Sequence, residues 1–304
     1  MRTLVRILSL FPLNALYALM QGVVYPLLYY IVQYRRKVVK RNLSLCFPAE
    51  TDSQRKRREK DFYHWFADLL AEIIYGYRIT EKEIRERVVF HGAEKLEAEI
   101  RAHGGGFIML GHYGCWEWLA DICNRMPDDF HSHVIYRTLK SKSADKLMHE
   151  LREKRGCDLI DKNLLLRHML QNRRTDGAHI YYMLSDQKPS KHDLGHWVSF
   201  LGQDTPFITG TETLARKFNY PVYYADIRMP KRGHYETFFR TIAIDSPATA
   251  EGEITDRFAA FLEENILRDP KLWLWTHNRF KWRREDSTRP NTSKHSDLSQ
   301  QQNR

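Results

Sequence analysis

Two side chains five residues apart carry the most explicit chemistry in this sequence, His112 and Glu117. A neutral imidazole beside a carboxylate is a base with its tautomer fixed, suited to taking a proton from a hydroxyl. The same two residue types also fit a helix-capping histidine and a glutamate bound to a nearby lysine, so the surroundings must decide. Residues 107–110, Phe-Ile-Met-Leu, form an apolar run short enough for a buried strand. Gly111 and Gly114 allow a sharp turn after it. Trp118, Leu119 and Ile122 then recur at helical spacing. His112 is therefore predicted at a strand end and Glu117 in the first turns of the next helix. In open α/β sheets, the crevice outside the carboxyl ends of the strands is where ligands bind.

Other candidates follow from the same logic. Arg137 closes a β-branched and aromatic run, 133–137. If that strand runs parallel to the first, the guanidinium shares an edge with His112. There it would stabilise a tetrahedral oxyanion or grip a phosphate, with a surface ion pair as the plainer alternative. Asp186 follows another strand, 179–184, with Gln187 beside it; it either walls the site or caps the next turn. Lys188 and Lys191 carry the right charge for a phosphate, while His192 and His196 read as incidental. In 273–281, Trp273 and Trp275 are assigned to the core, and Arg279 and Lys281 to solvent or phosphate. No metal is expected, because His103, His112 and His131 lack ligand spacing. Cys115 has no second base to activate it and is not read as a nucleophile. The chemistry requires no cofactor.

The 304 residues hold 48 Lys and Arg against 38 Asp and Glu, a formal charge of +10. That excess points to an acidic partner. No nucleic-acid-binding module is visible, which leaves an anionic membrane surface or an acidic protein. From Ile7 to Tyr34 there is no charged residue. At about 1.5 Å per residue the stretch is long enough for a hydrocarbon core of roughly 30 Å. Pro12, Gly22 and Pro26 interrupt it, so two shorter embedded helices fit as well as one span, and a buried helix of a soluble domain is the third option. Arg35, Arg36, Lys37, Lys40 and Arg41 follow directly and favour the cytoplasmic side for what comes after. Residues 1–34 are accordingly read as a membrane-associated helical segment. Residues 35–283 are read as the α/β domain, and 284–304, polar and aperiodic, as a disordered tail. Cys46, Cys115, Cys123 and Cys157 show no C-x-x-C spacing and are read as reduced, mostly buried thiols.

The elements that must position these residues alternate from about residue 105 onward. Strands are predicted at 107–110, 133–137, 158–160, 179–184, 222–228 and 235–244, with helices at 115–123, 143–155, 163–172, 209–218 and 255–267. Residues 197–201 fit a short strand or an ordered loop. Before them, 62–77 has the stripe of an amphipathic helix. This order predicts an α/β fold with a mostly parallel central sheet and flanking helices.

Gly111-His112-Tyr113-Gly114-Cys115-Trp116-Glu117 resembles the signature of the late acyltransferases of lipid A biosynthesis, the lauroyl/myristoyl acyltransferase family, in which a His precedes an Asp or Glu by five positions. Further similarities lie in 34–45, Tyr136-Arg137, Asp186-Gln187 with Pro189, 200–205 and 273–277. Cys115 stands where the family more often has Asn. The resemblance implies a glycerol-3-phosphate acyltransferase-like fold with an N-terminal membrane-anchoring helix. It implies transfer of an acyl chain from acyl carrier protein to a hydroxyl of a lipid A precursor at the cytoplasmic face of the inner membrane. His112 would be the base, Glu117 its holder and Arg137 the oxyanion or phosphate group. Asp186, Gln187, Lys188 and Arg279 would line the substrate. Acyl transfer to another membrane lipid, or an inactive lipid-binding homologue, are the competing readings.

Overall fold

The computed structural model describes residues 2–138, 141–173 and 175–288. Its strands are β1 (Val88–His91), β2 (Gly105–Leu110), β3 (Phe130–Tyr136), β4 (Asp158–Asp161), β5 (Ala178–Leu184), β6 (His196–Phe200), β7 (Gln203–Phe207), β8 (Val222–Lys231) and β9 (His234–Ala243). Seven of them form one sheet in the order β1-β9-β8-β2-β5-β3-β4. The pairs from β8 through β2, β5 and β3 to β4 are parallel, β9 is antiparallel to β8, and β1 is parallel to β9. All of β2 is buried, as expected of a central parallel strand covered on both faces.

The helices are α1 (Arg2–Leu8), α2 (Leu13–Leu19), α3 (Arg36–Cys46), α4 (Asp52–Tyr75), α5 (Glu81–Arg87), α6 (Ala93–His103), α7 (Trp116–Leu119), α8 (Lys142–Glu153), α9 (Leu165–Asn172), α10 (Gly210–Phe218), α11 (Glu253–Arg268) and α12 (Glu285–Thr288). The predicted alternation is thus present, with one change at the site. The helix expected over 115–123 is a single α-turn, α7, continued as a 3-10 helix from Ala120 to Arg125. Residues 197–201 belong to a hairpin of β6 and β7 outside the main sheet. Its two loop residues, Leu201 and Gly202, both have positive φ, 52° and 71°. That backbone matches strand twist, but a leucine there gives no sequence signal for it. The 273–277 segment is not a strand; Trp273 makes one isolated bridge to Tyr113.

The N-terminal segment lies antiparallel along α4. Arg6 bonds Tyr77, Tyr17 bonds Glu72, and Gln21 bonds Asp68, at 2.7, 2.7 and 2.6 Å. Further along, Tyr25 stacks on His64 and Tyr29 meets Tyr63 edge-on. Leu13, Leu16, Tyr17, Met20, Tyr25 and Tyr29 are buried by this contact. The opposite face leaves Leu4, Leu10, Phe11, Val23, Ile31 and Val32 between 51% and 73% exposed. Among the described residues no single helix is long and apolar enough to cross a membrane, although the bent pair Leu13–Ile31 and Arg36–Cys46, at 81°, passes by length and composition.

Two expectations are revised here. Cys123 and Cys157 are not separate thiols but are joined as a disulfide, their Cα atoms 5.5 Å apart. The 3-10 turn after α7 and the turn before β4 bring them together across 34 residues, which no local spacing announces. Within the tail, Glu285–Thr288 is helical and Arg284 pairs with Asp204; residues 289–304 lie outside those described.

Candidate active site

The register between β2 and β5 builds the site. Leu110 faces Leu184 across this parallel pair, so the second residue beyond each strand, His112 and Asp186, arrive side by side. His112 Nδ1 lies 2.6 Å from Asp186 Oδ1, and the His112 backbone N–H donates to Asp186 Oδ2 at 2.9 Å. Trp273 Nε1–H donates to the same Oδ2 at 2.9 Å. Burial alone would raise the Asp186 pKa. The charge of His112 and the bonds from His112 and Trp273 outweigh it and hold the carboxyl well below the usual range. An ionised carboxylate only accepts, so Nδ1 carries the imidazole proton and Nε2 presents its lone pair outward. Gln187 Nε2 lies 3.3 Å from that atom, and Trp116 packs edge-on against the ring.

The turn between β2 and α7 is fixed tightly. A Cβ on Gly111 would come within 2.6 Å of Leu262 Cδ1 and 3.4 Å of Asp186 Oδ2, so a larger residue would push the Leu262 side chain aside while touching the acid at ordinary contact distance. Gly114 has φ +60°, a conformation that favours glycine. The Leu274 N–H donates to the His112 carbonyl, and the Gly114 N–H to Leu272. The segment after α11 therefore clamps the histidine loop by its backbone.

Glu117 does not hold His112. It accepts two bonds from Arg152, at 2.7 and 3.0 Å, and one from Trp116 Nε1 at 2.9 Å. The reason is local. His112 sits in a tight turn before α7, closed by the Tyr113 N–H donating to the Gly111 carbonyl, and its ring reaches Asp186 beyond β5, while Glu117 on the first helical turn pairs with Arg152 of α8. Burial lowers the Arg152 pKa, but Glu117 more than compensates. This ion pair borders a narrow apolar cavity of about 50 Å³ between the sheet and α7, lined by Ile108, Leu110, Trp116, Leu119, Tyr182 and Leu184 among others. Trp116 touches both the cavity and His112.

The remaining predicted residues divide. Arg137 emerges exposed at the carboxyl end of β3, which pairs with β5, so it stands beside the Asp186–Lys188 turn. Lys188 and Lys281 both approach the Trp282 ring, at 5.4 and 4.3 Å. Burial, Lys281 and Arg137 together lower the Lys188 pKa. Arg279 is elsewhere in character. It is wholly buried, donates to the Pro206 carbonyl at 2.8 Å and lies over the Phe207 ring at 4.2 Å. Burial pushes its pKa down to about 9 against the pull of Asp186. It does not face solvent or phosphate; a guanidinium can stack on aromatic faces, and here the β6–β7 hairpin encloses it. Trp273 and Trp275 are buried as expected. Cys115 is fully buried, and burial with Glu72 nearby pushes its thiol well above the usual range, which makes it a poor nucleophile.

Two contributors were not singled out from the sequence. Arg152 sits in a charged helix with nothing to distinguish it from its neighbours. The Trp273 indole was assigned to the core, and only the register of three separate segments makes it a donor to Asp186.

The family model described as bacterial lipid A biosynthesis acyltransferase matches residues 2–282. A lipid A biosynthesis palmitoleoyltransferase of Escherichia coli (strain K12) is 20% identical over 257 residues, covering 82% of this chain and 79% of that protein. A lipid A biosynthesis acyltransferase of Shigella flexneri matches to the same extent. With nearly its whole length covered, this chain belongs to the bacterial lipid A biosynthesis acyltransferase family and is an acyltransferase of lipid A synthesis.

Proposed function

We propose that the enzyme moves a fatty acyl chain from acyl carrier protein to a hydroxyl of a lipid A precursor, with His112 as general base oriented by Asp186. The observation that carries this reading is the imidazole itself, tied by Nδ1 to a buried carboxylate while Nε2 points away from it and meets the Gln187 amide at 3.3 Å. Nε2 would take the hydroxyl proton as the oxygen attacks the thioester carbonyl. The imidazolium so formed is stabilised by Asp186 and returns the proton to the departing thiolate. Gln187, whose amide is beside Nε2, is placed to donate to the oxyanion. The apolar cavity behind Trp116 is the place for the acyl chain, and the Glu117–Arg152 pair forms its one ionic wall. Arg137, Lys188 and Lys281 form a cationic edge suited to phosphate. The same surplus of positive charge would draw in an acidic carrier protein.

The exposed apolar face of the N-terminal segment is read as the membrane contact, with Lys37 and Lys40 exposed just beyond it. The basic residues there support a seat on the cytoplasmic face of the inner membrane. The test is transfer of labelled acyl groups from acyl carrier protein to a lipid A precursor by the purified protein in detergent. Mass spectrometry of the product should show an added acyl ester on a hydroxyacyl chain, absent with His112→Ala. Equal product from His112→Ala would overturn the mechanism, and acylation of glycerophospholipid alone would overturn the acceptor.

A further inference from the structure

A second recess lies away from His112, where α1 meets the end of α4. It has about 980 Å³ of atom-free space open to solvent, and Arg6, Arg78, Lys154 and Arg155 line it against one carboxylate, Glu81, among the described residues. Part of this charge has structural work. Arg155 donates to the Gly76 carbonyl at 3.2 Å and Lys154 to the Tyr77 carbonyl at 3.3 Å, which satisfies backbone oxygens at the end of α4. Arg6 is 3.7 Å from Glu150, and Arg155 is 3.5 Å from Asp121. Yet the surplus persists. Arg6 and Lys154 both lie over the Tyr77 ring, at 5.5 and 4.2 Å, so one aromatic ring holds two like charges near each other. Arg78 is exposed and donates to the Leu10 carbonyl at 3.0 Å.

Beside this recess the N-terminal segment exposes apolar side chains. Leu4, Ile7, Leu10 and Phe11 are 59%, 53%, 65% and 51% exposed, and Leu10 also lines the recess. Exposed apolar side chains beside concentrated cations are how an interfacial segment meets an acidic bilayer: the apolar groups enter the acyl boundary and the cations stay level with the phosphates. Glu81, Glu150 and Asp121 lie close by and offset part of this charge, but a soluble anion would need no exposed apolar neighbours.

We propose that this recess is a headgroup site for an acidic phospholipid of the bilayer, separate from the site of acyl transfer. Arg6, Arg78 and Lys154 surround the lipid phosphate, and Leu10 and Phe11 lie along its acyl chains. The site would fix the height and tilt of the domain on the membrane. The proposal rests on the N-terminal face being seated in the membrane and is independent of the reaction at His112.

The test is co-sedimentation of the full chain with phosphatidylcholine vesicles, with and without phosphatidylglycerol. Phosphatidylglycerol should raise the bound fraction. Arg78→Gln with Lys154→Gln should remove most of that rise, about five-fold in partition per cation lost. Binding to neutral vesicles and acyl transfer in detergent should stay unchanged. Arg78→Lys with Lys154→Arg should restore the rise, showing charge and not packing. Lys56→Gln with Arg57→Gln removes the same charge near the other end of α4 and should cost clearly less. Equal losses from the two double variants, or no loss from the first, would overturn the headgroup site. Failure of the membrane seating itself would look different: Leu10→Ser with Phe11→Ser would leave neutral-vesicle binding unaltered.

Discussion

Histidines occupy both ends of the central strands, and they are built for opposite purposes. Beyond the carboxyl ends of β2 and β5, His112 is tied to the buried carboxylate of Asp186 at 2.6 Å. Towards the amino ends of β3 and β5, His131, His133 and His179 gather with His168 of α9. His133 and His179 approach at 3.0 Å, and the His133 ring lies 4.6 Å from that of His168. The nearest carboxylate there, Asp158, is 3.6 Å from His133 and mostly exposed. Burial, with the other histidines adding, lowers the pKa of His133 to about 3 and of His179 to about 4. An imidazole with an ionised acid on one nitrogen can accept a proton on the other. Imidazoles buried against one another stay neutral and serve as packing.

The sharpest way to break this contrast is to exchange the effects of mutation at the two ends. His112→Ala should lower acyl transfer by about 10²–10⁴-fold while the thermal melting temperature stays close to the parent. His133→Ala should instead lower the melting temperature, and the protein that remains folded should turn over normally. Asp186→Asn should approach the effect of His112→Ala, up to about 10⁴-fold, because an amide donor can no longer hold the required tautomer. Single-turnover rates with saturating lipid measure both.

The next effect concerns Glu117. Glu117→Gln leaves the mostly buried Arg152 without its charge partner and should cost about 3 kcal/mol in denaturant unfolding. Replacing Arg152 with Met in the same protein should recover much of it. If Glu117 acted on His112 alone, the second change would recover nothing.

The smallest effect separates the ends by pH. The buried histidines have folded pKa values below the unfolded value of about 6.5, so between these pH values the unfolded chain binds more protons. Their stability contribution is complete above about pH 6.5 and falls as acid is added towards the folded values. Asp186 has a lowered folded pKa, so its contribution is present above about pH 4 and is lost only below that. Between neutrality and about pH 5, stability should therefore drop by on the order of 2 kcal/mol for each of His133 and His179. His179→Gln should flatten that slope in urea titrations, and Asp186→Asn should not.

Much of this was legible in the residues. The apolar run before His112, the turn glycines and the alternation of strands and helices gave a parallel sheet with His112 and Asp186 at one edge. Arg137 and Lys188 follow β3 and β5, which are neighbours, so both stand near that edge. Arg279 was misplaced, because a guanidinium near the end of an aromatic stretch has the same sequence appearance whether it faces phosphate or is enclosed by Phe200 and Phe207. The N-terminal segment reads as uniformly apolar, and only its antiparallel contact with α4 divides it into a buried and an exposed face.

The sequence by itself determined that an imidazole would stand at the end of a buried strand, because local hydrophobic pattern and glycine turns act over a few residues. Only the tertiary structure decided which acid would hold it. Glu117 is five residues away and points to Arg152; Asp186 is 74 residues away and lies within hydrogen-bond distance. That choice was made by the hydrogen-bond register of β2 against β5, a long-range pairing that no local spacing encodes.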